Sequence, residues 1–253
     1  MKFFIINLEQ DIEKREKITA LCESFGLDYE IIPAVYGKAL SEDEIRQNTY
    51  PKNEQLKLFK RELGLGEIGC AISHRKCYEE IIKRDLKEAI ILEDDAVFNE
   101  ELIDFLKHTN KFPKDLELLL LGHQRQIYPD DGFRIESPFS LRFNQRISNR
   151  NLKRLVGRGN GAYGYYITFN GANKLLKLMG KIFLPADLYT SNENFINLYA
   201  IHPILIKLGV ISTSSTQDNF KNKKRSKISK YFKLIKNKIQ FFIPSLKKPK
   251  DYI

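Results

Sequence analysis

The run AIIL at 89–92 is apolar at four consecutive positions and then gives way at once to Glu93, Asp94 and Asp95. A strand with one wet face alternates apolar and polar residues, whereas a continuous run of this length fits a strand covered on both sides, as in parallel sheets. FFIINL (3–8) has the same character, and YEIIPAV (29–35) and DLELLLLG (115–122) read as further strands. Between the first two lies DIEKREKITALCESFGL, where Ile12, Ile18, Leu21, Cys22 and Phe25 fall near helical spacing and Gly26 is placed to stop the helix. Strand, helix, strand at the start of a chain opens an α/β sheet.

The remainder is read more coarsely. Residues 37–66 are polar, with SEDEIRQN as a short helix, and form an excursion over one sheet edge. GEIGCAISHRKCYEEIIKRD (66–85) reads as a loop entering a helix, NEELIDFLKH as a helix, and 123–160 as irregular chain rich in Arg, Asn and Gly. GNGAYGYYITFNGANKLLKLM (159–179) reads as a strand into a helix with Asn170 as its N-cap. No internal repeat is present, and 253 residues with 42% hydrophobic content suffice for one main globular unit.

The formal net charge of +10 raises nucleic acid as a partner, but its distribution matters more than its total. Residues 221–253 hold twelve Lys and Arg against the single acid Asp251, while 1–220 hold thirty basic and thirty-one acidic residues. The body is close to neutral, which argues against a nucleic-acid-binding module using the tail as its arm. The odd set Cys22, Cys70 and Cys77 suits reduced thiols, and the apolar stretch after Lys2 is too short for a signal peptide. No run approaches the roughly 18 apolar residues of a membrane span, so the expectation is a cytoplasmic protein.

Carboxylates just past the C-terminal end of a parallel strand sit where open α/β sheets bind ligands. The same three acids would also suit a solvated turn or a helix N-terminus. A buried strand fixes them in place, however, where they repel unless a cation lies among them. A hard divalent cation, Mg2+ or Mn2+, meets that need and shares such ligands with substrate phosphates. Cys70, His74 and Cys77 fall at i, i+4 and i+7 on one helix face. That spacing fits either zinc ligands or core packing, and the lack of a fourth ligand nearby favours packing.

Taken together, in order and spacing, FFIINLEQDIEKRE, LGEIGCAISHRKCYEEII, AIILEDDAVF and GAYGYYITFNGANKLL with LPADLY resemble bacterial glycosyltransferase family 25, over roughly residues 1–215. The Gly-Glu-Ile-Gly-Cys-x-x-Ser-His segment followed about 20 residues later by Leu-Glu-Asp-Asp is the specific part. The resemblance implies a GT-A-like, Rossmann-type nucleotide-binding domain with a mostly parallel central sheet flanked by helices, spanning 1–220. It also implies an inverting enzyme that moves a hexose, galactose ahead of glucose, from a UDP-sugar to an acceptor sugar of lipooligosaccharide. Asp95 is then the principal ligand of the Mn2+ or Mg2+, with Glu93 also on the metal and Asp94 at the donor. The cation acts as a Lewis acid on the diphosphate.

The same resemblance makes Asp187, in LPADLY, the candidate base, although an Asp after Pro185 also suits the start of a short helix. Asp218 and Asp130 are substitutes. Ser73, His74 and Gly66 fall near the nucleotide or donor sugar, with Gly66 and Gly69 allowing close backbone approach. Asn7 pairs with uracil or ribose, and Arg15 either faces the diphosphate or belongs to a solvated helix face. Gly161 lies in the glycine-containing strand beside the donor pocket, in GRGNGAYGYY (157–166), which is not a phosphate-binding P-loop. His202 in YAIHPIL is a candidate to complete the metal site. PADLY is followed by the polar TSNENF, which leaves the acceptor side open.

In the tail, Ile228, Phe232, Ile235, Ile239 and Phe242 form an apolar helical stripe flanked by Lys230, Lys233, Lys236 and Lys238 and closed by Pro244. A basic amphipathic helix of this kind lies in an anionic membrane interface, unless it is simply solvated or docked on the body. Residues 221–253 therefore read as a membrane-associating tail, with contact through 221–250, and the protein as peripheral to the inner face of the bacterial cytoplasmic membrane. The rival enzyme reading is a metal-dependent nucleotidyltransferase using the same carboxylates on a sugar phosphate.

Overall fold

A computed structural model describes residues 1–123, 126–128, 133–135, 139–155 and 161–209, with side chains omitted for 126–144. The tail at 221–253, expected from the sequence to associate with a membrane, the glycine at 157, and Asp130 and Asp218 lie outside the described residues. The strands are β1 (Lys2–Asn7), β2 (Tyr29–Pro33), β3 (Glu88–Glu93), β4 (Ala96–Val97), β5 (Leu118–Leu120), β6 (Gln126–Tyr128), β7 (Phe133–Ile135), β8 (Phe139–Ile147), β9 (Arg150–Leu155), β10 (Gly164–Thr168), β11 (Leu198–His202) and β12 (Lys207–Leu208). The helices are α1 (Ile12–Ser24), α2 (Glu42–Asn48), α3 (Lys52–Phe59), α4 (Leu65–Lys83), α5 (Glu100–Leu106), α6 (Phe169–Leu178) and α7 (Ala186–Thr190).

The central sheet has the order β2-β1-β3-β10-β5-β11-β9-β8. β1 pairs parallel with β2 and β3, and β5 with β11, while β10 inserts antiparallel between β3 and β5. β2, β1, β3, β5 and β11 thus share one direction. β9 reverses it and β8 restores it at the far edge. The result is a mixed α/β fold with a mostly parallel sheet flanked by helices.

Both faces of the sheet are covered, which explains the unbroken apolar runs. Phe4, Ile6 and Ile91 face Ile72, Tyr78 and Ile81 of α4 and Leu175 of α6. Phe3, Ile5, Ile90 and Leu92 face Ile18 and Cys22 of α1 and Leu102 and Phe105 of α5. Each such side chain contributes about 2 kcal/mol when fully buried. Ile12, counted with the apolar face of α1 from the sequence, is instead 52% exposed at the start of the helix.

Several sequence expectations are corrected. Residues 123–160 are not simply irregular, since β8 and β9 extend the sheet there. Polar residues mask this edge, where β9 buries Arg150, Leu152 and Leu155 and leaves Arg154 exposed. An antiparallel edge tolerates a wet face, so no continuous apolar run announces it. The 37–66 excursion holds α3 as well as α2. α4 begins at Leu65, so the Gly-Glu-Ile-Gly segment is helix rather than loop, with Gly64 N–H donating to the Glu67 carboxylate at 2.9 Å. The N-cap of α6 is Thr168, whose Oγ1 accepts from Gly171 N–H at 3.2 Å, and not Asn170. No helix among the described residues is long and apolar enough to cross a membrane.

α4 lies directly on the loop after β2. A Cβ at Gly69 would sit 2.7 Å from Gly37 N and closer still to Val35 O. Both are backbone atoms, so neither can swing aside. Gly69→Ala is therefore expected to destabilise the fold by about 2 kcal/mol. Gly26→Ala, at φ +62° with open space around it, should cost about 1 kcal/mol from backbone strain alone. Urea denaturation of the two variants checks this order.

Candidate functional site

The C-terminal ends of β1, β2 and β3 open onto one cleft, lined among others by Lys14, Tyr36, Gly66, Glu93, Asp94 and Asp95. Buried strands deliver the side chains there and neighbouring backbone holds them. Asn7, ending β1, is 1% exposed and donates Nδ2 to Asp94 Oδ2 at 2.8 Å and to Asp11 O at 3.1 Å. Glu93 N–H donates to Tyr163 O at 3.0 Å, and Gly209 N–H donates to Asp95 O at 2.8 Å. β12 pairs with β4 just beyond, which fixes the chain that leaves the cluster.

The cluster is electrostatically frustrated. Burial first, then the Glu93 and Asp94 carboxylates, push Asp95 up to about 6, and its Oδ1 is buried without a hydrogen-bond partner. Burial also raises Asp94, partly offset by the Asn7 hydrogen bond and Lys14. Lys14 Nζ lies 3.6 Å from Asp94 and 3.4 Å from Asp11. Its burial opposes its charge, yet Asp94, Asp11 and Asp95 outweigh that and hold the ammonium above its ordinary pKa. Asn7 Oδ1 is a second buried, unpartnered acceptor. Two buried oxygen acceptors without a partner, Asp95 Oδ1 and Asn7 Oδ1, suit a hard divalent cation.

α4 supplies the opposite wall. His74 is fully buried, with Nδ1 2.8 Å from Tyr165 OH and Nε2 3.3 Å from Glu93 Oε1. Ser73 Oγ donates to Gly69 O at 2.7 Å and accepts from Val35 N–H at 2.8 Å, so the hydroxyl pins α4 to the loop after β2 while lining the cleft. Cys70 also faces the cleft, whereas Cys77 is buried in the core.

Asp187 opens the short helix α7 after Pro185. Burial first, then the Glu67 and Glu93 carboxylates, raise its pKa. Arg61 grips Glu67 with contacts of 2.7 and 2.5 Å, and Thr190 Oγ1 of α7 donates to Gly161 O at 3.3 Å. Gly161 has φ +133° and turns the chain towards Tyr163 and so back to Glu93.

Of the residues expected from sequence, Asn7, Gly66, Ser73, His74, Glu93, Asp94 and Asp95 come together around this cleft, Asp187 is near enough to feel the Glu93 charge, and Gly161 packs against Gly122 and Tyr163. Arg15 is half-buried outside the cleft lining, and His202 ends β11 away from that lining as well. The α1 cation at the cluster is Lys14, which sequence reading passed over. Its signal was there in the i, i+3 step from Asp11, the residue that Asn7 also contacts.

Residues 1–190 match the family model described as glycosyltransferase family 25 (LPS biosynthesis protein). Among curated relatives, procollagen galactosyltransferase 1-B of Xenopus laevis is 30% identical over 79% of this chain and 31% of its own length. A glycosyltransferase 25 family member of Aedes aegypti is 27% identical over 77% and 32%, and one of Drosophila pseudoobscura pseudoobscura is 39% identical over 38% and 16%. The chain spans about a third of the length of the first of these relatives.

The acidic cluster has a pH signature. Asp95 titrates at about 6 when folded against an ordinary 3.8, so the folded chain holds this proton more tightly than the unfolded one. Stability is therefore lost as pH rises from 3.8 to about 6, where Asp95 ionises. Without divalent cations, Asp95→Asn is expected to be more stable near pH 7 by on the order of 1 kcal/mol, with a flatter stability profile across that window. Urea denaturation over a pH series reads both.

Proposed function

The chain belongs to glycosyltransferase family 25, and we propose that it is an inverting hexosyltransferase that moves galactose, or failing that glucose, from a UDP-sugar to an acceptor sugar of lipooligosaccharide. The observation that carries the reading is the buried, unpartnered Asp95 Oδ1 within a carboxylate cluster at the end of β3. A cation shared with a diphosphate would give that oxygen a partner and relieve the repulsion. The galactosyltransferase names of the relatives support galactose, and the description of the family model supports the lipopolysaccharide acceptor.

Asp95 and Glu93 would hold the Mn2+ or Mg2+, which when bound neutralises charge on the leaving diphosphate. Asn7 holds Asp94 at 2.8 Å, and Lys14, 3.6 Å from Asp94, would lend positive charge to the phosphates. In transfer, the acceptor hydroxyl oxygen forms a bond to the anomeric carbon as the bond from that carbon to the diphosphate oxygen breaks. The hydroxyl proton passes to Asp187. A carboxylate whose pKa is raised by burial and by Glu67 and Glu93 is a better base than an exposed one. The basic stripe at 221–250 supports attachment to the anionic inner face of the membrane, where the growing glycolipid is concentrated.

UDP release is the direct test. With Mn2+ and a short galactoside or glucoside acceptor, the native chain is expected to release UDP from one of UDP-galactose and UDP-glucose. Asp187→Asn should lower kcat roughly 100- to 10,000-fold with little change in donor KM. Asp95→Ala should abolish the metal-dependent part. Absence of turnover with both donors, together with no Mn2+ affinity, would sink the reading. In vesicle sedimentation the full chain should bind anionic but not neutral vesicles and be released by salt.

A further inference from the structure

Cys70 and His74 lie one turn apart on the face of α4 turned to the cleft, and Glu93 reaches them from the end of β3. A sulfur, an imidazole nitrogen and a carboxylate oxygen thereby fall within 4.8 Å of one another. His74 Nε2 and Glu93 Oε1 are 3.3 Å apart. Two ligands held about 2.0–2.1 Å from a tetrahedral Zn2+ are themselves about 3.3 Å apart, so this pair already has the spacing of a shared cation. Cys70 Sγ, within 4.8 Å of both, completes the set with a shift of up to roughly 1.3 Å.

The surroundings of His74 support the same use. The ring stacks on Tyr165 with centroids 5.8 Å apart, and the Tyr165 hydroxyl lies 2.8 Å from both His74 Nδ1 and Tyr78 OH. With a cation on Nε2, the proton sits on Nδ1, so that His74 donates to Tyr165 and Tyr165 in turn can donate to Tyr78. Ligating imidazoles are commonly oriented by an outer partner of this kind. All three donors line one cleft.

We propose that Cys70, His74 and Glu93 form a site for a thiophilic divalent cation of the Zn2+ class, and that filling it locks Glu93 beside His74, where it cannot share a cation with Asp95. Sulfur and imidazole select Zn2+ or Cd2+, whereas the oxygen donors of the acidic cluster select Mg2+ or Mn2+. On binding, the Cys70 sulfur bonds to the cation and its proton leaves to solvent. The site stands on its own geometry; its inhibitory effect rests on the role proposed above for Glu93.

Cd2+ titration of the full chain tests the site without reference to turnover, because a thiolate bound to Cd2+ absorbs in the ultraviolet. One equivalent should develop this absorbance in the native chain, in Cys22→Ser and in Asp95→Asn, and none in Cys70→Ser. Glu93→Gln should keep the absorbance and weaken Cd2+ binding at least tenfold, and it decides the matter if Cys70→Ser does not fold. No absorbance in the native chain, absorbance surviving in Cys70→Ser, or unchanged affinity in Glu93→Gln each overturns the site. In the UDP-release assay, Zn2+ should raise the Mn2+ concentration needed for half-maximal rate. Zn2+ binding that leaves this requirement unaltered overturns the sharing of Glu93. Cd2+ binding as described with no UDP release under any condition would instead count against the glycosyltransferase reading.

Discussion

Repulsion among Glu93, Asp94 and Asp95 is the constraint around which the rest of this structure is arranged. Three adjacent carboxylates would ordinarily spread into water, but β3 is buried on both faces and cannot yield. The backbone is also clamped, by Tyr163 O on one side and Gly209 N–H on the other. The strain remains as raised pKa values at Asp94 and Asp95 and as a buried oxygen without a partner. A cost of a few kcal/mol is tolerable only because each buried Ile or Leu of the surrounding sheet returns about 2 kcal/mol. The core is what allows the site to be unfavourable.

α4 transmits that arrangement to the rest of the cleft. Gly69 lets the helix touch the loop after β2, and Ser73 then bonds both Val35 N–H and Gly69 O, so the helix cannot slide along the sheet. With α4 fixed, His74 reaches Glu93 on one side and Tyr165 on the other. At the start of α4, Glu67 caps the helix, pairs with Arg61 and presses its charge on Asp187. One helix therefore sets both the imidazole beside the acidic cluster and the electrostatics of the carboxylate proposed as base.

The parts of this legible in the sequence were those with a local signal. Unbroken apolar runs marked β1 and β3, and three acids after AIIL marked the cleft, because covering a strand on both faces leaves a one-dimensional trace. β8 and β9 leave little trace, since antiparallel strands rich in Arg and Asn at this end of the sheet resemble loop. The choice of Lys14 over Arg15 turns on the rotational phase of α1, and Ile12, exposed where the pattern placed it inside, shows how easily that phase is misjudged from spacing. Spacing alone grouped Cys70 and His74 with Cys77. The third donor is Glu93, brought in from another strand by tertiary packing, while Cys77 points into the core.

The three acids are adjacent in sequence but not equivalent. Asp94 is tied by Asn7 and Lys14, so its geometry is set by the fold and it has little freedom to follow a ligand. Asp95 is fixed through its backbone yet carries an unpartnered oxygen, which makes it the carboxylate with most to gain from a cation. Glu93 has the longest side chain of the three, is 31% exposed, and touches His74 rather than either neighbour. It alone can turn between an oxygen-rich environment and one containing sulfur and imidazole. If both proposed sites bind a cation, the Glu93 side chain decides between them by where it points, a choice between rotamers that costs far less than moving any strand.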